Sequence, residues 1–156
     1  RRLTVRFEQT RTILQKLAPQ YHRTVSDHFQ QLADGEVSPR VKLMLDYLID
    51  HEEHRALALG EFCHGAPHKV LEHWLKGLER NFPDVPADLL DANAGTDLDL
   101  LIKAAVGYKQ VLIDYFSYAA EHCTDRQTAN LFEKLRSQED RAMRRMIRHA
   151  QGLADL

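Results

Sequence analysis

A chain of 156 residues, 44% of them hydrophobic, is long enough for one domain with a core of its own. Its formal net charge of -2 gives no global attraction to nucleic acid or to an acidic membrane, and no apolar run reaches membrane-spanning length. The two cysteines, Cys63 and Cys123, make no disulfide framework, and the compartment they imply is a reducing cytoplasm.

The chain opens at Arg1-Arg2 rather than at Met and without a leader pattern, which leaves room for a processed or trimmed end. Leu3, Phe7, Thr10, Leu14 and Leu17 fall at helical spacing and predict an amphipathic N-terminal extension over residues 1–18. Pro19 predicts a break or kink. The next stripe is Tyr21, Val25, His28, Phe29 and Leu32, and it ends at Asp34-Gly35, with Gly35 as a C-terminal cap. Ser38-Pro39 reads as an N-cap followed by proline in the first helical position. The helix it starts runs to about Glu61 on the stripe Val41, Met44, Leu45, Leu48, Ala56 and Leu59. Glu52 interrupts that stripe, and a carboxylate on a core face is costly unless something pairs with it.

Residues 62–96 form the one long connection, of the kind that crosses from one end of a helical domain to the other. Within it Val70, Leu71, Trp74 and Leu78 predict a short amphipathic helix from Pro67 to Leu78, with Trp74 covering the end of the domain. Pro83, Pro86 and the loop Asn93-Ala94-Gly95 follow. Thr96 or Asp97 caps a third long helix that reaches about His122, with Leu101, Ala105, Tyr108, Leu112, Phe116 and Ala119 on its apolar face. Thr124-Asp125 caps the fourth, which runs from Arg126 to about Gln151. Phe132, Leu135, Ala142, Met143 and Met146 make its stripe, and Glu139 interrupts it. The order is helix pair (19–61), crossover, helix pair (97–151) in a single all-α domain over 1–156, the connectivity of an up-down four-helix bundle with one long crossover.

The pairs repeat. A shift of 87 residues lays Tyr21–Ala56 on Tyr108–Met143 without a gap. Tyr21 meets Tyr108, Asp27 meets Asp114, Phe29 meets Phe116, Ala33 meets Ala120, Leu48 meets Leu135 and Glu52 meets Glu139.

With the stretches IDYFSYAAEH and LFEKLRSQEDRAM, this repeat resembles the ferritin-like superfamily, and within it the rubrerythrin-type bundles, from about Tyr21 to Gln151. The resemblance implies a ferritin-like bundle with a di-iron site built from one Glu on each of two helices and a Glu-x-x-His pair on each of the others. In this chain the first Glu position falls on His22 and the third-helix Glu on Lys109. The first Glu-x-x-His becomes Glu52 and Arg55, and the second becomes Glu139 and Ala142.

Charge counting favours a metal-free centre. Two carboxylates face two cations, so Glu52, Arg55, Lys109 and Glu139 form a balanced ion-pair cluster with His22 beside it. The alternative is one metal, iron or manganese, held by His22, Glu52 and Glu139 with Arg55 and Lys109 turned outward. His51 and His54 are placed on the exposed side of the second helix, and His64 and His68 follow with Cys63 in or near the crossover. They read as solvated histidines. Arg141, Arg144, Arg145 and Arg148 share one face of the last helix, either a solvated face or a dock for an acidic partner. No nucleophile motif, phosphate-binding loop or nucleic-acid motif occurs. The expectation is a homodimeric cytoplasmic bundle without a cofactor, acting as a structural, interaction or regulatory module. A metal-dependent oxidoreductase or metal-handling protein is the alternative.

Overall fold

The strong helix formers of the periodic segments decide the local structure. A computed structural model of the protein describes residues 7–156, and these fold as helices joined by turns and one long crossover. The only strand-like pairing among them is an isolated bridge between Gln9 and Trp74.

The first helical run is α1 (Thr10–Thr12), a π-helical segment (Ile13–Leu17) and α2 (Ala18–Ala33), without a break between them. The helix therefore passes through Pro19 instead of stopping there. Proline offers no N–H, and its ring crowds the carbonyl four residues back. The turn just before it is widened, with the Ala18 N–H reaching Ile13 O, and this gives the ring room. The predicted start of the N-terminal helix also moves. Glu8 and Thr10 use their backbone groups on the crossover instead: the Leu75 N–H donates to Glu8 O at 2.9 Å and the Thr10 N–H to His73 O at 3.1 Å. The expected helical positions before residue 7 lie outside the described residues.

α3 (Pro39–Gly65) starts as predicted, with the Ser38 side chain accepting from the Val41 N–H, and runs one turn further than expected. Gly35 is not a left-handed cap, because no described residue has positive φ. α2 closes instead through the Asp34 N–H on Gln30 O and the Gly35 N–H on Leu32 O.

In the crossover, α4 is confined to His68–Leu71. The predicted helix to Leu78 is cut short because His73 and Leu75 pair with the N-terminal segment. Val70, Leu71, Leu75 and Leu78 still face the core, whereas Trp74 is 51% exposed and does not cover the domain end. The crossover finishes in a 3₁₀ turn (Ala92–Gly95), and the Gly95 carbonyl accepts from the Ser38 N–H at 2.8 Å.

α5 (Leu98–His122) is capped by the Asp97 carboxylate, which accepts from the backbone N–H groups of Asp99 and Leu100. α6 (Arg126–Ala154) is capped by Asp125, which accepts from Thr128 N–H. α2 packs along α3, α5 along α6, and α3 also meets α5 and α6. Phe29, Leu45, Leu48, Tyr108, Leu112, Phe116, Phe132 and Leu135 are buried at the shared core. Each such side chain contributes about 1.5–3 kcal/mol of transfer free energy. No helix among the described residues is long and apolar enough to cross a membrane.

Candidate functional site

The apolar stripes of the four long helices are interrupted by buried polar groups at His22 on α2, Glu52 on α3, Lys109 on α5 and Glu139 on α6. Helical spacing leaves each of these side chains no outlet to solvent, so they meet one another. Lys109 Nζ donates to Glu52 Oε2 at 3.0 Å and to Glu139 Oε1 at 2.9 Å. His22 spans the same two carboxylates, with Nδ1 3.3 Å from Glu52 Oε2 and Nε2 3.5 Å from Glu139 Oε2. Arg55 closes the remaining side: its Nη2 and Nε donate to Glu139 Oε2 at 2.7 and 2.9 Å, and Nη2 also reaches Gln138 Oε1 at 3.3 Å.

The arrangement follows the 87-residue repeat. His22 and Lys109 are repeat equivalents, as are Glu52 and Glu139, and each member of the first pair touches both members of the second. Another equivalent pair meets directly, since Tyr21 Oη donates to the Tyr108 carbonyl at 2.6 Å. The Tyr108 hydroxyl lies 3.0 Å from His28 Nδ1 on the outer side.

Burial opposes charge at every one of these groups, and the neighbours overcome it. Burial alone would raise the Glu52 carboxyl, but Lys109 and then His22 hold it down to about 2. Glu139 is likewise held well below the carboxylate range against burial by Lys109, His22 and Arg55. Burial lowers Lys109 and His22, yet Glu139 and Glu52 keep both above their ordinary values. The centre thus holds two carboxylates, an ammonium and a guanidinium, with the His22 imidazole biased toward its protonated form.

One participant was misplaced by sequence spacing. His51 does not lie on the exposed side of α3: its side chain is 13% exposed and its Nε2 is 3.8 Å from Glu52 Oε2. Burial, and then Lys109, push it down to about 4, so it is neutral. The usable signal was its position seven residues after Met44, which is fully buried. His54 is exposed, with Nδ1 2.8 Å from its own helix carbonyl at Asp50. His64 and His68 are exposed as well, while Cys63 is buried at the end of α3. Arg141, Arg144, Arg145 and Arg148 all stand on the exposed face of α6, with Arg144 paired to Asp140 at 2.8 Å.

The donor set does not fit a pair of metal ions. Of the six positions implied by the di-iron resemblance, the chain keeps two carboxylates, and Lys109 lies between them with Arg55 on the outer oxygen of Glu139. Dications brought there would meet two fixed positive charges in a low-dielectric interior. Among the described residues, no group of three or more His, Cys, Asp or Glu side chains is arranged to hold a metal ion. Comparisons with protein-family models, curated proteins and solved structures found no match to this chain.

Proposed function

We propose that this chain is a ferritin-like four-helix bundle in which an internal salt-bridge centre stands where the family's di-iron site would be. It serves as a non-enzymatic structural, interaction or regulatory module, and Glu52, Glu139, Lys109 and Arg55 hold its helix pairs together. One observation carries the reading: Lys109 Nζ sits between the two glutamates at 3.0 and 2.9 Å, the place a bridging cation would take. Two features support it. Glu52, Glu139, His22 and Lys109 are at most 3% exposed, which gives a substrate no approach to them. An ammonium whose pKa is raised is also a poor nucleophile, since amine chemistry requires the neutral form.

The interaction face in this reading is the α6 stripe of Arg141, Arg145 and Arg148. These arginines suit an acidic protein surface, since guanidinium groups recognise carboxylates in pairs. Metal analysis of protein purified without chelator tests the proposal. The expected result is far less than one iron or manganese per chain. Stoichiometric metal that disappears in Glu52→Ala would establish the metal-binding alternative, with His22, Glu52 and Glu139 as ligands.

A further inference from the structure

The seam between α3 and α6 carries opposite charge on its two sides. Tyr47 of α3 stacks on His149 of α6 with ring centroids 4.1 Å apart, and Arg55 Nη2 donates to Gln138 Oε1 at 3.3 Å, so the two helices run antiparallel. Asp50, Leu57 and Glu61 follow Tyr47 at the spacing of one helix face and make an exposed stripe along α3. On α6, Lys134 and Arg145 each stand one turn before a residue that touches α3, Gln138 and His149, and Arg141 lies between them. These contacts set the levels. Asp50 lies level with Arg145, and Glu61 lies level with Lys134, with which it lines one cleft. Little of this charge is used within the chain. Among the described residues Glu61, Lys134 and Arg145 have no ion-pair partner, and Asp50 has only the exposed His54, at 3.4 Å. Two large apolar side chains share the acidic helix: Leu43 is 51% exposed and Leu57 72%.

We infer that the α3–α6 face is the interface of a homodimer in which the acidic stripe of each copy lies on the basic stripe of the other. The inference rests on the reading of the α6 arginines as an interaction face and deepens it, because it names their acidic partner as a second copy of this chain. Charge selects the symmetry. A two-fold axis parallel to the helices lays α3 on the second copy's α6, which puts Asp50 against Arg145 and Glu61 against Lys134, each contact occurring twice. A two-fold axis across the helices would lay α3 on α3, acid against acid. Helices of 27 and 29 residues side by side give a face ~40 Å long and ~20 Å wide, which matches the ~800 Å² per partner of a stable interface. Leu43 and Leu57 then pack under the aliphatic stems of the second copy's basic side chains.

Sedimentation equilibrium of the full chain across the micromolar range tests the interface, with metal content measured on the same samples. The parent is expected to dimerise, and the dimer should weaken as salt is added. Asp50→Arg and Arg145→Glu should each weaken it by about tenfold or more, since each sets like charges together at both symmetric contacts. An equal mixture of the two variants should dimerise again, because the new arginine then meets the new glutamate while the native Asp50 meets the native Arg145. Both positions are exposed, and helical circular dichroism checks that the variants fold. Glu61→Lys mixed with Lys134→Glu is the second exchange of the same design, and it decides the matter if either first variant is unfolded. A parent that stays monomeric overturns the inference. So do single variants that dimerise as the parent does, or a mixture that stays monomeric. Stoichiometric iron or manganese in the parent would instead overturn the metal-free reading of the centre, whatever the assembly, so the two failures are distinguishable.

Discussion

Lys109 has no direct route to water, and its charge is balanced only by Glu52 and Glu139. Replacing it leaves two buried carboxylates short of a partner, a more expensive change than losing a surface pair. Lys109→Met is therefore expected to lower unfolding free energy by about 3 kcal/mol in chemical denaturation, and a loss near zero would mean the glutamates find other partners.

The residues at the centre also set a pH profile. His22 is held above its ordinary 6.5, so its stabilisation is complete below pH 6.5 and is lost as pH rises through the folded value. His51 is pushed down to about 4, so stability falls as pH drops from 6.5 to about 4, because the unfolded imidazole takes up a proton that the folded one refuses. Glu52, held at about 2 against an ordinary 4.5, adds a further loss as pH falls from 4.5 toward 2. Melting temperature should peak near pH 6.5, and His51→Gln should flatten the limb between 6.5 and 4. An unchanged limb in that variant would remove His51 from the account.

At this scale the sequence was legible where a residue broke a period. Glu52 and Glu139 stood out because each sits inside an apolar stripe, whereas Lys109 and Arg55 were placed beside them by the positions that the di-iron resemblance implies. His51 was not legible. A histidine beside a glutamate on an amphipathic helix is compatible with either face, and only packing on neighbouring helices makes one wall of the centre from it.

At the scale of elements, the helix starts were readable because a side-chain oxygen accepting from backbone N–H is a local event, as at Ser38, Asp97 and Asp125. The crossover was not, because its shape is set by pairing between residues 8–10 and 73–75, far apart in the chain. That pairing ends α4 at Leu71 and leaves Trp74 outside, which no local propensity encodes. Gly35 and Gly95 show the same contrast. The helix ends at Asp34-Gly35 as expected but without a left-handed glycine, while Gly95 is required for space. A Cβ on Gly95 would lie 2.9 Å from the Glu36 carbonyl oxygen, which is backbone and cannot swing away. Gly95→Ala should therefore cost about 1–3 kcal/mol by forcing the crossover off the α2–α3 turn, read as a lower melting temperature. Gly60→Ala, where a Cβ meets nothing within 4 Å, is the control and should not destabilise.

For the whole molecule, the all-helical class was legible from periodicity, and the 87-residue repeat pointed to two helix pairs of one design. Tyr21 touching Tyr108 is a contact between repeat equivalents, and the equivalent pair His22 and Lys109 touches both members of the equivalent pair Glu52 and Glu139. The function was less legible, since a buried centre of paired charges supports both architecture and chemistry until its occupant is known. Assembly is a separate expectation: light scattering at micromolar concentration should give a dimer mass, and monomer mass alone would refute it.

The central claim is that Lys109, not a metal ion, is the cation joining the two glutamates. Thermal melting of the parent protein after exhaustive chelation, and again with iron or manganese restored, tests it most directly. Nothing bound to the native state is removed or supplied if the claim holds, so the melting temperature should be the same in both samples. A melting temperature that falls on chelation and recovers with either metal would contradict it.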